Sequence, residues 1–114
     1  PAFSAVTLGL LHGCAPQGLI FCYEADRPYV KGLPHVPLKK LERYRELYEQ
    51  LASERYPAEF VGVAMNGRNI SAAQAEIEKQ QVQELLGLPV CDVYRDGPDV
   101  LVDAVLKLKE RLTA

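Results

Sequence analysis

The stretch LGLLHGCAP, residues 8–16, sets His12 and Cys14 two positions apart beside Gly13. An imidazole that reaches a thiol can activate it as a nucleophile. The spacing argues against that chemistry. Gly13, with Pro16 shortly after it, predicts a helix that ends near His12. Residues two apart on a helix point to different sides, so the ring does not meet the thiol. The negative end of the helix dipole also favours a protonated histidine and disfavours a thiolate. His12 remains as a group that can line a site, and Cys14 is incidental.

More productive chemistry lies downstream. Arg27 and His35 bracket a segment rich in proline and glycine, with Lys31 between them. Histidine acts as a general base near neutral pH, or as a metal ligand. His12 and His35 are the only histidines, which excludes a multi-histidine metal site, and no metal is expected from this segment. The plainer reading of His35 is a loop residue between Pro34 and Pro37. Asn66 and Arg68 stand in VGVAMNGR, directly after an apolar run. Arginine can clamp a phosphate or a carboxylate through two parallel hydrogen bonds. Asn-Gly is by itself a turn signal, so Asn66 is open to both readings. Neither GxxxxGK[ST] nor GxGxxG occurs, so these residues do not predict a self-sufficient NTPase or dinucleotide enzyme.

The elements that must position these groups follow from the apolar pattern. Residues 2–13 form an apolar segment that predicts a helix ending near His12, with Gly13 just beyond it. GLIFCYE, residues 18–24, is a short apolar run that fits a strand buried on both faces. Residues 25–37, with three prolines and a glycine, predict an irregular loop. Leu38, Leu41, Tyr44, Tyr48 and Leu51 form one helical stripe, with Pro37 suited to its first turn. EFVGVAM, residues 59–65, predicts a second buried strand. Ser71 to Gln74 is a capping-box pattern that opens a helix ending near Gly87. VCDVY, residues 90–94, predicts a third strand, and Leu101, Val105, Leu108 and Leu112 the stripe of a last helix.

This order, a helix and then strand–helix three times, implies right-handed parallel crossovers and an α/β fold: a three-layer parallel sheet with helices on both faces. Ligands of such sheets bind at the carboxyl ends of the strands. The loops leaving those ends carry Glu24, Asp26 and Arg27; then Asn66, Arg68 and Asn69; then Arg95 and Asp96.

The bulk composition bounds the rest. The 114 residues suit a single α/β domain or part-domain spanning 1–114, able to bury roughly two-thirds of its unfolded surface. A net charge of −2 gives nucleic acid no electrostatic footing, and the basic cluster at residues 39–45 is interleaved with Glu42. No run is apolar and long enough to span a bilayer, so no membrane partner is expected. Three cysteines without CxxC spacing argue against a disulfide framework; Cys22 and Cys91 read as small buried hydrophobes in a reducing cytoplasm. The chain begins at Pro1 and its one methionine is Met65, which predicts a processed chain or a fragment of something longer.

Taken together, PAFSAVTLGLLHGCAP, RPYVKGLPHVPL, VGVAMNGR and DVYRDGPDVLVDAV resemble, in order and over essentially the whole chain, the C-terminal part of domain-of-unknown-function family 1611. This bacterial and archaeal family is also loosely labelled NAD-dependent epimerase/dehydratase-like, and its members include D-glutamate N-acetyltransferases. The resemblance implies the C-terminal half of a P-loop NTPase-like domain, whose phosphate loop precedes this segment and whose N-terminal half is the partner it needs. It implies acetyl transfer from acetyl-CoA to the amine of an acidic amino acid, by a chain inactive on its own. His12 and Gly13 match LLHG in the family pattern. Arg27, Lys31, Gly32, Pro34, His35 and Pro37 match the loop, and Asn66 and Arg68 the strand end where related folds place a base-reading Asn. His35 is then the base candidate. His12, Arg27, Lys31, Asn66 and Arg68 are candidates for holding substrate or cofactor. The family has His-Asp where this chain has Tyr23-Glu24, and a small residue in place of Cys14.

Two other expectations stand beside this one. The P-loop relationship also fits a nucleotide-dependent enzyme with a different acceptor. A non-catalytic module is the other, because an unpaired sheet edge invites association with a partner or with a second copy as a homo-oligomer.

Overall fold

The computed structural model describes residues 4–114, so residues 2 and 3 of the expected first helix lie outside the described residues. The chain divides into two compact units, one made of residues up to 17 with 27–59, the other of 18–26 with 60–114.

The second unit holds a three-stranded parallel sheet in the order β1-β4-β5, from β1 (Gly18–Glu24), β4 (Glu59–Asn66) and β5 (Val90–Asp92). β4 is central, and its register on β5 pairs Val63 with Val90, Ala64 with Cys91 and Met65 with Asp92. Burial is uneven across the sheet: Phe60 to Val63 and Met65 of the central strand are buried, as is all of β5 at one edge, whereas only Phe21 is buried on β1 at the other. The expectation that Cys22 is a buried hydrophobe is therefore corrected: Cys91 is buried, but Cys22 is exposed on β1. Phe21 instead anchors β1 through Phe60, with ring centroids 5.3 Å apart.

The crossover helix α3 (Ala72–Leu86) opens as its sequence predicts. Ser71 Oγ accepts from Gln74 N while Gln74 Oε1 accepts from Ser71 N, and Gly87 closes the helix at φ 65°. The third strand is shorter than expected. It stops at Asp92, and residues 93–96 turn into a short helix, α4 (Val93–Asp96), because Asp96 Oδ2 accepts from Asp92 N at 2.9 Å and closes that turn. In α5 (Asp99–Thr113), Leu101, Ala104 and Leu108 form the packed stripe; Val105 and Leu112 are half exposed, which corrects the expected set. Gly62 makes room for this packing: a Cβ there would stand 2.7 Å from Leu101 Cδ2.

The first unit contains α1 (Ser4–Cys14), α2 (Leu41–Ala52) and a hairpin of β2 (Tyr29–Val30) and β3 (Leu33–Pro37). Three expectations change here. First, α1 continues through Gly13, and Ala15 takes the left-handed conformation at φ 47°, its N–H donating to Leu11 O at 3.1 Å. Second, residues 25–37 are not wholly irregular. Val30 pairs with Leu33 across a Lys31-Gly32 turn, and Leu38 N donates to Pro28 O at 2.9 Å to close the base. Proline reads as a strand breaker, but a short two-stranded ribbon with a register irregularity between Tyr29 and Val30 accommodates it. Third, Pro37 ends β3 rather than opening α2, and Leu38 precedes the helix, which keeps Leu41, Tyr44, Tyr48 and Leu51 as its half-buried stripe.

Candidate functional site

The carboxyl ends of β1, β4 and β5 place Glu24, Asn66 and Asp92 at one edge of the sheet. Backbone hydrogen bonding joins the first two, since Ala25 N donates to Asn66 O at 3.0 Å. The turn that follows β4 is shaped by Asn66, whose Oδ1 accepts from Arg68 N at 3.1 Å. This is the turn role that Asn-Gly suggested. It brings Arg68 and Asn69 to Glu24. Asn69 Nδ2 donates to Glu24 Oε1 at 2.7 Å, and Arg68 Nη2 lies 3.2 Å from Glu24 Oε2. The Glu24 side chain is only 10% exposed, whereas that of Arg68 is 59% exposed. One end of the guanidinium is thus anchored while the rest faces solvent.

Beneath the turn lies a second acid–base pair. Asp92, 3% exposed at its side chain, holds Arg95 Nη1 at 3.1 Å. Arg95 also donates from Nη2 to Ile70 O at 2.6 Å. Gly67 is packed directly on this pair. A Cβ there would stand 2.5 Å from Asp92 Oδ2 and 2.7 Å from Arg95 Nη1, so no larger residue fits without disturbing the pair.

Lys79 of α3 completes the network through Asp96, with Nζ 2.7 Å from Asp96 Oδ2 and Glu76 on its other side. The Lys79 hydrogen bond, helped by the Asp92 N–H, holds the Asp96 carboxyl below its usual range. Asp96 and Glu76 in turn raise the Lys79 ammonium above its own. The pair is therefore fully ionised through neutral pH. Burial pushes the Cys91 thiol up, reinforced by Asp96 and Asp92, which keeps it protonated and unreactive. Burial and a 2.9 Å hydrogen bond to Glu78 push the Tyr23 hydroxyl far above its ordinary value, so Tyr23 serves as a donor and not as a base.

The groups singled out from sequence fall into two sets. Asn66 and Arg68 are brought together with Glu24 and Asn69 in the second unit. In the first unit, one hairpin carries three others: Arg27 precedes β2, Lys31 stands exposed at the tip, and His35 is exposed on β3. His12 is placed otherwise. Its Nε2 is 2.8 Å from Leu51 O, tying α1 to α2, and Arg55 Nη1 donates to His12 O at 3.3 Å. Only Nδ1 of that ring is left for a ligand. Asp92 and Gly67 were missed. The signal for Asp92 was present, a charged residue closing the otherwise apolar strand VCD; Gly67 read only as half of a turn dipeptide. Among the described residues, no group of three or more His, Cys, Asp or Glu is placed to hold a metal ion, and no helix is long and apolar enough to cross a membrane.

The parallel sheet and its helices define an α/β domain, with a buried acid–arginine pair and a solvent-facing arginine at the carboxyl edge, where ligands of such sheets bind. Its kind is given by comparison with known proteins. Residues 1–102 match the family described as Domain of unknown function (DUF1611_C) P-loop domain, and the chain belongs to that family. Proteins named D-glutamate N-acetyltransferase are similar to it. One from Tritonibacter scottomollicae is 34% identical over 91% of this chain and 32% of its own length. One from Pseudoalteromonas sp is 34% identical over 90% of this chain and 31% of its own. A crystal structure of a DUF1611 family protein from Anabaena variabilis superposes with a TM-score of 0.83 at 34% identity, covering 89% of this chain and 30% of that one. The chain thus spans about a third of the length of the curated relatives it matches.

Proposed function

We propose that residues 1–114 form a part-domain of a small-molecule N-acetyltransferase, one that moves an acetyl group from acetyl-CoA to the amine of an acidic amino acid such as D-glutamate. On this reading the chain works only with the remainder of its protein and has no activity alone. The shared name of the two relatives supports the reaction, and one structural observation carries the acceptor class: Arg68, anchored by Glu24, keeps 59% of its side chain in solvent at the sheet's carboxyl edge. A cation so held is preorganised to receive a carboxylate.

The remaining roles follow from donor chemistry. Arg68, with the Asn66 amide beside it, would hold a carboxylate of the acceptor. Arg27 and Lys31, cations of the hairpin, fit anionic groups of acceptor or cofactor, and His12 would contribute through Nδ1. Bound acetyl-CoA would supply an acyl group activated as a thioester. The acceptor amine is an ammonium ion in water and attacks only after losing a proton, which His35 would take.

Membership in a P-loop family supports a second reading, in which the ligand is a nucleotide. Calorimetry of the full protein separates the two. The first reading expects saturable binding of acetyl-CoA at micromolar concentrations and none of ATP in the same range. Binding of ATP alone would overturn it.

A further inference from the structure

The turn at residues 66–70 is secured from two sides. On one, Glu24 holds Asn69 and Arg68. On the other, Arg95 spans from Asp92 Oδ2 to Ile70 O, at 3.1 and 2.6 Å. Between them the backbone closes on itself, Ile70 N donating to Gly67 O at 3.1 Å. Gly67 rests on the carboxylate and guanidinium of the lower pair, both of which are tied to one another and have little freedom to retreat. The Asp92 backbone is in turn fixed by Asp96, which Lys79 holds. Arg68 hangs from this assembly, and Glu24 meets it at the guanidinium.

We propose that Arg95, with Asp92, is a positioning residue for the anion site at Arg68. Its planar fork locks the turn to the end of β5 and so sets where Arg68 points. The proposal rests on the reading of Arg68 as the group that holds the acceptor carboxylate. Lysine cannot replace this function fully, because a point charge does not span a carboxylate and a carbonyl in two fixed directions.

The test uses the full protein and three variants: Arg95→Lys, the double variant Asp92→Asn/Arg95→Met, and Arg68→Ala. The double variant removes both charges together, so no unpaired charge is left buried. Two quantities are read beside thermal stability: hydrogen exchange at the amides of Arg68 and Ile70, and the Kd for D-glutamate by calorimetry. The double variant is expected to speed exchange at both amides at least ~10-fold and to weaken D-glutamate binding ~10-fold, as loss of preorganisation does. Arg95→Lys should recover part of both. Unchanged exchange in the double variant overturns the clamp. Faster exchange with unchanged Kd, while Arg68→Ala weakens binding, overturns the positioning role alone. If Arg68→Ala itself leaves the Kd unchanged, the reading of Arg68 fails and takes this proposal with it.

Discussion

Replacing His35 with alanine is expected to lower kcat of the full protein at least ~100-fold, the lower end of what a general base contributes. The reason is the acceptor's protonation state. The lone pair of an amino acid's nitrogen is occupied by a proton in neutral water, and a positioned base must remove it before the C–N bond can form. His35 suits that task because it is exposed on β3, in a hairpin closed at its base by the Leu38–Pro28 hydrogen bond. Exposure also makes the test clean. Substitutions at exposed positions change stability by only ~0.5 kcal/mol or less, so the variant should melt within a few degrees of the parent. Steady-state kinetics at saturating acetyl-CoA checks the claim. Unchanged turnover removes His35 from the mechanism.

Replacing Arg68 with alanine is expected to act on binding instead. A hydrogen bond to a charged group contributes about 1.5–3 kcal/mol, which corresponds to a rise in KM for D-glutamate of roughly 10- to 150-fold. The value of kcat should move little, because the contact is present in the ground state and the transition state alike. Stability should fall more than in the His35 variant, because Glu24, 10% exposed at its side chain, loses a cation, although Asn69 still donates to it at 2.7 Å. Arg68→Lys, which keeps the charge but not the fork, should lie between the two. A KM unchanged in Arg68→Ala contradicts the assignment of this edge to the acceptor carboxylate.

How far the sequence reveals this depends on how local each signal is. The cap at Ser71 and Gln74, the glycine at 87 and the apolar runs of β1 and β4 are decided by residues within a few positions of one another, and all are visible in the sequence. The hairpin at residues 29–37 was obscured because Pro28, Pro34 and Pro37 signal a loop, while the pairing that makes it a ribbon joins Tyr29 to Pro37 across an irregular register. Cys22 is misplaced by the sequence because a run of apolar residues does not say which face of its strand is covered: Phe21 is buried and Cys22, the next residue, is exposed. At the site, Asn66 and Arg68 could be found because they follow an apolar strand. Glu24, Asn69 and Arg95 are likewise placed at the strand ends by the sequence, but which of them pair is not legible there. Glu24 meets Asn69 from 45 positions away, and Arg95 meets Ile70 from 25, contacts that only the sheet order β1-β4-β5 creates.

The most direct measurement is acetyl transfer itself. The full protein, given acetyl-CoA labelled in its acetyl group and a panel of amino acids, is predicted to move label onto the amine of D-glutamate, with one CoA thiol released for each acetyl group transferred. Label that reaches no acidic amino acid, with no CoA released above the uncatalysed rate, would contradict the account.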